Sequence, residues 1–490
     1  MKYLLGIDVG TTGTKTLLFR EDGKLCGSAY MGYETAMPAV GYSEQNPDDW
    51  WKAVVATVRK VVDEADAGGD VAGIAMSVQG GTFVPVDGDM RPMRPAIVWN
   101  DTRCDEELGE WLGSGHTDGG MYGKTGWHLL PGLNAMQARH MAKNEPEAFE
   151  KTAFFLSVPD YISLRMTGRM AVDLSNIGIS QLGDIRKGKF DEEILAFANI
   201  DPGKLPDIVP SGEVIGKLTP EAASELGISE NAVLVSGAHD QYAVALGAGA
   251  SRGGDILIGS GTCWVVTCIG DEPDFESGLS QSVAATPGKW GSLWSLSSGG
   301  VCLEWLKNSI MAGDISYPEL DSEAESRRAA EDGLFFFPFT GRAGETTSFT
   351  KGSFVGLDLS HDRFHMARAV MEGVAFQIRY MLEAFKAKPS ERGIKLAGGA
   401  SKSRVWAGIV ADILGLPVRI PDVADMACVG AAILAGVGSG VYASREEGYA
   451  ALSVGEKIIR PDPARHAEFS ELYEKYKATA KAMAGVYGLE

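Results

Sequence analysis

The chain has 490 residues, 45% hydrophobic and 22% charged, a composition ordinary for a folded globular protein and a length that favours two large domains over one core. Its 45 Lys and Arg against 65 Asp and Glu give a net charge of −20, a field that repels nucleic acid and anionic membrane surfaces. The sequence has no apolar run of about 18 residues to span a membrane, its opening does not read as a signal peptide, and its six cysteines are dispersed with no C-x-x-C pair, so a cytoplasmic protein is expected.

Tyr3–Val9 reads as a buried strand, Gly10–Gly13 as a turn, Lys15–Phe19 as a second strand, and Glu21-Asp22-Gly23 as the turn into a third strand near Leu25. The segment from Asp8 to Lys15, Asp-Val-Gly-Thr-Thr-Gly-Thr-Lys, has the chemistry of a phosphate cradle. Glycines let successive backbone N–H groups turn toward one point. Thr11 and Thr12 add hydroxyl donors, Lys15 offers a positive charge, and Asp8 at the strand end can hold Mg²⁺ through water. The plain alternative is a Gly/Thr hairpin with a satisfied aspartate.

Asn46-Pro47 opens a helix, with Asn46 as cap and Trp50, Trp51, Val54, Val55, Val58, Val61 and Val62 on one face. A strand near Val71–Met76 follows, and strands mixed with helix indicate an α/β domain. Farther on, Ala232–Ser236 is a short apolar strand and Tyr242–Leu246 begins a helical pattern. Asp240 therefore stands at a strand-to-helix junction, where helix N–H groups favour its ionised form. It suits a base that positions an attacking hydroxyl, with Gln241 beside it for a substrate hydroxyl; a simple helix cap is the competing reading.

The opening recurs about 250 residues later: Gly254–Ile258 reads as a strand, Gly259-Ser260-Gly261-Thr262 as a turn and Cys263–Ile269 as a strand. Two such loops on facing domains can grip one polyphosphate. The break between halves is expected near Ala245–Arg252, giving domains 1–246 and 247–490, with helices near Val301–Ile310, Arg363–Phe385, Arg404–Leu414 and Cys428–Ala435.

Other signatures fail. Gly123-Lys124-Thr125 approaches a P-loop but has Asp118 at its first glycine, and no G-x-G-x-x-G follows a strand. His361 and His365 lack the glutamate of a zinc peptidase, and His361 reads as a surface or capping residue.

Together the ordered motifs Asp8-Val9-Gly10-Thr11-Thr12, Glu44-Gln45-Asn46-Pro47 with Trp50, Trp99-Asn100-Asp101-Thr102-Arg103, Gly237-Ala238-His239-Asp240-Gln241, Gly259-Ser260-Gly261-Thr262 and Gly398-Gly399-Ala400-Ser401 resemble the FGGY carbohydrate kinases over nearly the whole chain. The resemblance implies two ribonuclease-H-like domains of the actin/Hsp70/hexokinase-like type around a deep cleft. It implies ATP and Mg²⁺, with Asp240 as catalytic base and, with Asp8, near the metal. By the same resemblance Thr11, Thr12, Gly13, Lys15, Gly261, Thr262, Gly300, Glu304, Gly398, Gly399 and Ala400 hold the nucleotide. Gln79, Gly80, Gly81, Trp99, Asp101, Asp240 and Gln241 face the sugar. The segment Arg91–Asp101 is most similar to the xylulokinase branch, so a ketopentose such as D-xylulose is expected. Gln79-Gly80-Gly81-Thr82 stands where xylulokinases carry Met-His after the glutamine; its N–H groups can meet hydroxyls, or its glycines can leave room for a larger substrate. The expected partners are a sugar and ATP, with no nucleic acid or membrane and a homodimer left open. A non-catalytic nucleotide switch would lack the carboxylate at Asp240.

Overall fold

The computed structural model describes residues 1–311, 313–338, 351–386, 388–423, 425–453 and 455–486. The first half supplies β1 (Tyr3–Val9), β2 (Gly13–Arg20), β3 (Leu25–Gly32), α1 (Pro47–Ala65), β4 (Val71–Val78), α2 (Asp105–Gly113), α3 (Asn134–Asn144), β5 (Val214–Lys217), β6 (Val233–Val235) and α4 (Asp240–Gly247). β1, β2 and β3 form an antiparallel meander; β4 runs parallel to β1, β6 runs parallel to β4, and β5 closes the edge antiparallel.

The second half supplies β7 (Ile256–Ser260), β8 (Trp264–Gly270), β9 (Ser280–Val283), β10 (Trp290–Leu296), α5 (Gly300–Trp305), α6 (Arg363–Ala384), β11 (Ile394–Gly398), α7 (Arg404–Leu414), β12 (Val418–Asp422), α8 (Met426–Gly438) and β13 (Gly455–Ile459). β7, β8 and β10 repeat the antiparallel meander, β11 and β12 extend it in parallel from β7, and β13 closes the edge antiparallel. The two sheets thus share one topology, with β9 added outside β10. The two Gly/Thr turns are the first hairpins of the two sheets. Each half is an α/β domain on a ribonuclease-H-like sheet.

Local chemistry accounts for the elements that frame the cleft. Asn46 caps α1 by accepting the Asp48 N–H, Pro47 occupies its first turn, and Trp50, Trp51, Val54, Val58, Val61 and Val62 are buried. Val55 is only partly buried, at the margin of that face. The helix expected over Val301–Ile310 starts one residue earlier and changes at Leu306–Ile310 into a wider π-helical turn. Asp362 and His365 form the cap of α6. His361, expected at the surface or in a cap, instead has its side chain buried, 1% exposed, with Nδ1 accepting the Asp358 N–H.

One helix ties the halves together. α8 comes from the second half yet rides on β1 of the first sheet so closely that a Cβ on Gly6 would lie 1.9 Å from the Cys428 carbonyl oxygen. α4 and α8 also cross with backbones in contact: a Cβ on Gly430 would meet the Ala243 oxygen at 1.9 Å. The pair lies between the two sheets, and both helices begin with an aspartate of the site, Asp240 inside α4 and Asp425 as the cap of α8.

Candidate active site

The site is set by strand register. β1, β4 and the two-residue strand Ala238–His239 run parallel, with Asp8 opposite Ser77 and Ser77 opposite Ala238, then Val9, Val78 and His239 in the next row. Asp240 follows at the carboxyl edge of these strands, the edge at which open α/β sheets bind ligands. It is the first residue of α4, its predecessor His239 is in the cap position, and no side-chain capping bond is made. Asp240 is therefore not the helix cap that formed the competing reading.

Asp240 Oδ1 lies 3.2 Å from His239 Nε2, but the groups are not aligned for a hydrogen bond and Oδ1 has no partner. Oδ1 itself is buried, so the 34% exposure of the side chain belongs to its other atoms, and the carboxylate reaches the surface with its second oxygen. Asp8 accepts a 2.7 Å hydrogen bond from Ser77 Oγ. Burial pushes its carboxyl up to about 7, the charges of Asp240 and Asp425 add to the rise, and the Ser77 bond and Lys15 oppose it.

Lys15, expected to face phosphate, is held 2.8 Å from Asp425 Oδ2, while Asp425 Oδ1 caps α8 through the Cys428 N–H. Its ammonium is raised above the usual range chiefly by that hydrogen bond. Asp425 is the site residue that sequence reasoning missed. Its signal was the N-cap pattern of an acid before an apolar run, but nothing local reports that this helix lands on the first sheet.

Asp8 has the charges of Asp240, Asp425 and Lys15 around it, and a group of carboxylates is a donor set that suits a hard divalent cation. Among the described residues, the trio of potential ligand atoms within 4.8 Å of one another lies elsewhere. The aspartates thus fit a cation that keeps several waters, as magnesium does. The glycines fit a phosphate ligand. A Cβ on Gly10 would have ordinary room, 3.5 Å from the Gly13 oxygen, and on Gly261 would sit 3.4 Å from the Cys263 oxygen; neither has positive φ. Glycine there is required neither by packing nor by backbone conformation; the Gly10 N–H closes the turn on the Gly13 oxygen at 3.1 Å, and the missing side chains leave the turn backbone open to close approach by a ligand.

The sugar-loop residues fall into two groups. Thr11 Oγ1 donates to Gln79 Oε1 at 3.2 Å and accepts from Trp99 Nε1 at 3.1 Å, while Gln79 Nε2 donates to Gln45 Oε1 at 3.2 Å. Gln79 is buried and ties the first turn to this loop; Trp99 is 47% exposed. Thr12 is exposed, Gly13 is buried, and Gln241 is half-buried beside Asp240. Asp101 corrects the sequence reading. Its side chain is 0% exposed and saturated by the Ser43 N–H and by the backbone and guanidinium of Arg103, so it positions the loop and is not open to a sugar hydroxyl. Gly80 and Gly81 also correct it: both are buried, and a Cβ on Gly80 would meet Ile179 Cγ2 at 2.6 Å and His239 Cδ2 at 2.7 Å. The space expected for a larger substrate is filled by the His239 ring and Ile179.

The nucleotide candidates converge on the second sheet. Ser260 pairs with Gly398 across β7 and β11. Its carbonyl accepts the Gly399 N–H at 2.7 Å and its Oγ accepts the Ala400 N–H at 3.0 Å. Gly398 has φ +87°, a conformation that favours glycine. The Gly300 and Val301 N–H groups donate to the carbonyls of Gly261 and Thr262 at 3.2 and 3.1 Å. Gly261, Thr262, Gly398, Gly399 and Glu304 are exposed, whereas Ala400 is buried beneath them.

The model for the FGGY family of carbohydrate kinases, N-terminal domain, matches residues 3–247, and that for the C-terminal domain matches residues 255–439. The chain belongs to the FGGY carbohydrate kinases. This FGGY kinase is 30% identical to the xylulose kinase of Bacillus subtilis (strain 168), across 99% of this chain and 97% of that protein. It is 29% identical to the gluconokinase of the same organism, across 90% and 88%. The solved xylulose kinase of Rhodospirillum rubrum superposes with a TM-score of 0.92 at 28% identity, covering 99% of this chain and 100% of that one. As a carbohydrate kinase it is a phosphotransferase with an alcohol group as acceptor, and FGGY kinases use ATP as the phosphate donor. No helix among the described residues is long and apolar enough to cross a membrane.

Proposed function

We propose that this FGGY kinase transfers the γ-phosphoryl group of ATP to the terminal hydroxyl of a neutral ketopentose such as D-xylulose, giving the 5-phosphate. The observation that carries the reading is the partly exposed carboxylate of Asp240, not used as a helix cap, at the same sheet edge as Asp8. Residues 1–246 hold the sugar through Trp99, Gln241 and the loop behind them. Residues 247–490 hold the nucleotide on Gly261, Thr262, Gly300, Glu304 and the Gly398–Ala400 turn, while Thr11, Thr12 and Gly13 meet the phosphates from the opposite side.

In the reaction, Asp240 accepts the hydrogen bond of the sugar hydroxyl and orients its oxygen along the line of transfer. As the O–P bond forms and the bond to the ADP oxygen breaks, the hydroxyl proton passes to Asp240. Phosphoryl transfer goes through a loose transition state in which the hydroxyl becomes acidic late, so an ordinary carboxylate suffices. Asp8 and Asp240 would hold magnesium through water, and the ion supplies charge neutralisation for the β- and γ-phosphates when bound. Closure of the two domains excludes water as a competing acceptor.

A neutral sugar is favoured over a sugar acid by the state of the loop's arginines. Arg94 is held by Glu44 and Glu145, and Arg103 by Asp101 and Glu44, with side chains 9% and 3% exposed. Neither is free to pair with a substrate carboxylate. ADP release measured across ketopentoses, tetroses, polyols, hexoses and aldonic acids tests this: the highest kcat/KM is expected for a ketopentose. A preference for gluconate would overturn the substrate assignment.

A further inference from the structure

Outside the cleft, α2 and α3 bring together three side chains that the kinase reaction does not use. We infer that Cys104, Glu107 and His140 form a site for one thiophilic divalent cation of the zinc class, buried between the first turn of α2 and the middle of α3. One potential ligand atom from each lies within 4.8 Å of the other two. A thiol, an imidazole and a carboxylate are the donor types that zinc takes, and three of them leave a fourth tetrahedral position for water.

Two independent features point to a missing ligand. Glu107 is 1% exposed; Oε1 lies 3.2 Å from His140 Nδ1 and 3.5 Å from Lys143 Nζ, while Oε2 is buried with no partner at all. A buried carboxylate oxygen left without a partner is costly, and a cation in the cluster satisfies it. The second feature is at the helix start. Cys104 occupies the N-cap of α2 and makes no capping bond, at a position where Ser, Thr, Asn or Asp would stabilise the helix. The thiol is fully buried, so it gives up a cap without serving an exposed surface.

The local arrangement allows entry and charge balance. The His140 and Lys143 side chains are 14% and 28% exposed and form the outer edge of the cluster. Lys143 is the competing cation, but it also holds Glu106 at 3.0 Å and Glu110 at 2.5 Å, so it retains partners when Glu107 turns to the metal. On binding, the Cys104 S–H bond breaks, its proton leaves to solvent and a sulfur–metal bond forms. Cys104 directly follows Arg103 and lies three residues after Asp101, so occupancy anchors the base of the Trp99 loop.

Cobalt(II) titration of the whole, chelator-stripped protein tests the site. One equivalent is expected to bind with a sulfur-to-cobalt charge-transfer band in the near ultraviolet, to be displaced by zinc and to raise the thermal midpoint. C104S should abolish the band. H140Q, a milder change at the edge of the cluster, should weaken binding by at least about tenfold and decides the matter if C104S does not fold. C263S, at the exposed cysteine, should change nothing. Absence of the band in the unsubstituted protein, its survival in folded C104S, cobalt affinity undiminished in H140Q, or loss of the band in C263S would overturn the assignment.

Discussion

Asp8 offers a quantitative test of the electrostatics of the site. Its carboxyl stands at about 7 in the folded protein against an ordinary value of 3.8, mainly because it is buried and secondarily because Asp240 and Asp425 face it. Between those values the folded protein keeps a proton that the unfolded chain has released, so stability falls as pH rises through about 4 to 7 and levels off above. At about 1.4 kcal/mol per pH unit, the penalty above pH 7 is on the order of 4 kcal/mol. Asp8→Asn keeps the shape and can still accept the Ser77 hydroxyl, but carries no charge. Asp160 and Asp173 are also raised by burial, and their contributions cancel when variant and unsubstituted protein are compared. Urea unfolding in EDTA at pH 5, 6, 7 and 8 should show Asp8→Asn progressively more stable than the unsubstituted protein, while its turnover collapses. Equal pH slopes, or a variant that is the less stable at pH 8, would refute the reasoning.

Other substitutions probe the remaining parts. Asp101→Ala removes the bidentate partner of a guanidinium whose side chain is 3% exposed; unfolding should show a loss of about 3–5 kcal/mol, with KM for the sugar raised, and a loss under about 1 kcal/mol would argue against its locking role. Gly398→Ala puts a side chain at φ +87° with its Cβ 2.7 Å from the Ser260 oxygen; it should cost about 1–3 kcal/mol and raise KM for ATP more than for the sugar. Gly10→Ala has room for its Cβ; it should leave the thermal midpoint unchanged and still raise KM for ATP, which separates a glycine kept for a ligand from one kept for packing.

Much of this was legible locally. The Tyr3–Val9 strand, its glycine turn, the capped helix at Pro47 and the strand-to-helix junction at Asp240 each follow from patterns within a few residues, and the recurrence of the Gly/Thr turn signalled two sheets of like topology. What escaped reading depends on pairing across hundreds of residues. Lys15 meets Asp425 only because α8 returns to the first sheet, and Gly80 is filled by His239 only because strand register brings Ala238–His239 beside β4. Asp101 looked like an available acceptor until Arg103, two residues on, folded back onto it. Sequence periodicity reports which face is apolar; it does not report which distant charge a buried polar group has found.

The most direct test is Asp240→Asn, assayed for sugar-dependent ADP release alongside ATP binding. Loss of turnover by about a thousandfold with ATP affinity retained is the predicted result. Turnover near that of the unsubstituted protein would contradict the assignment of Asp240 as the group that holds and deprotonates the attacking hydroxyl.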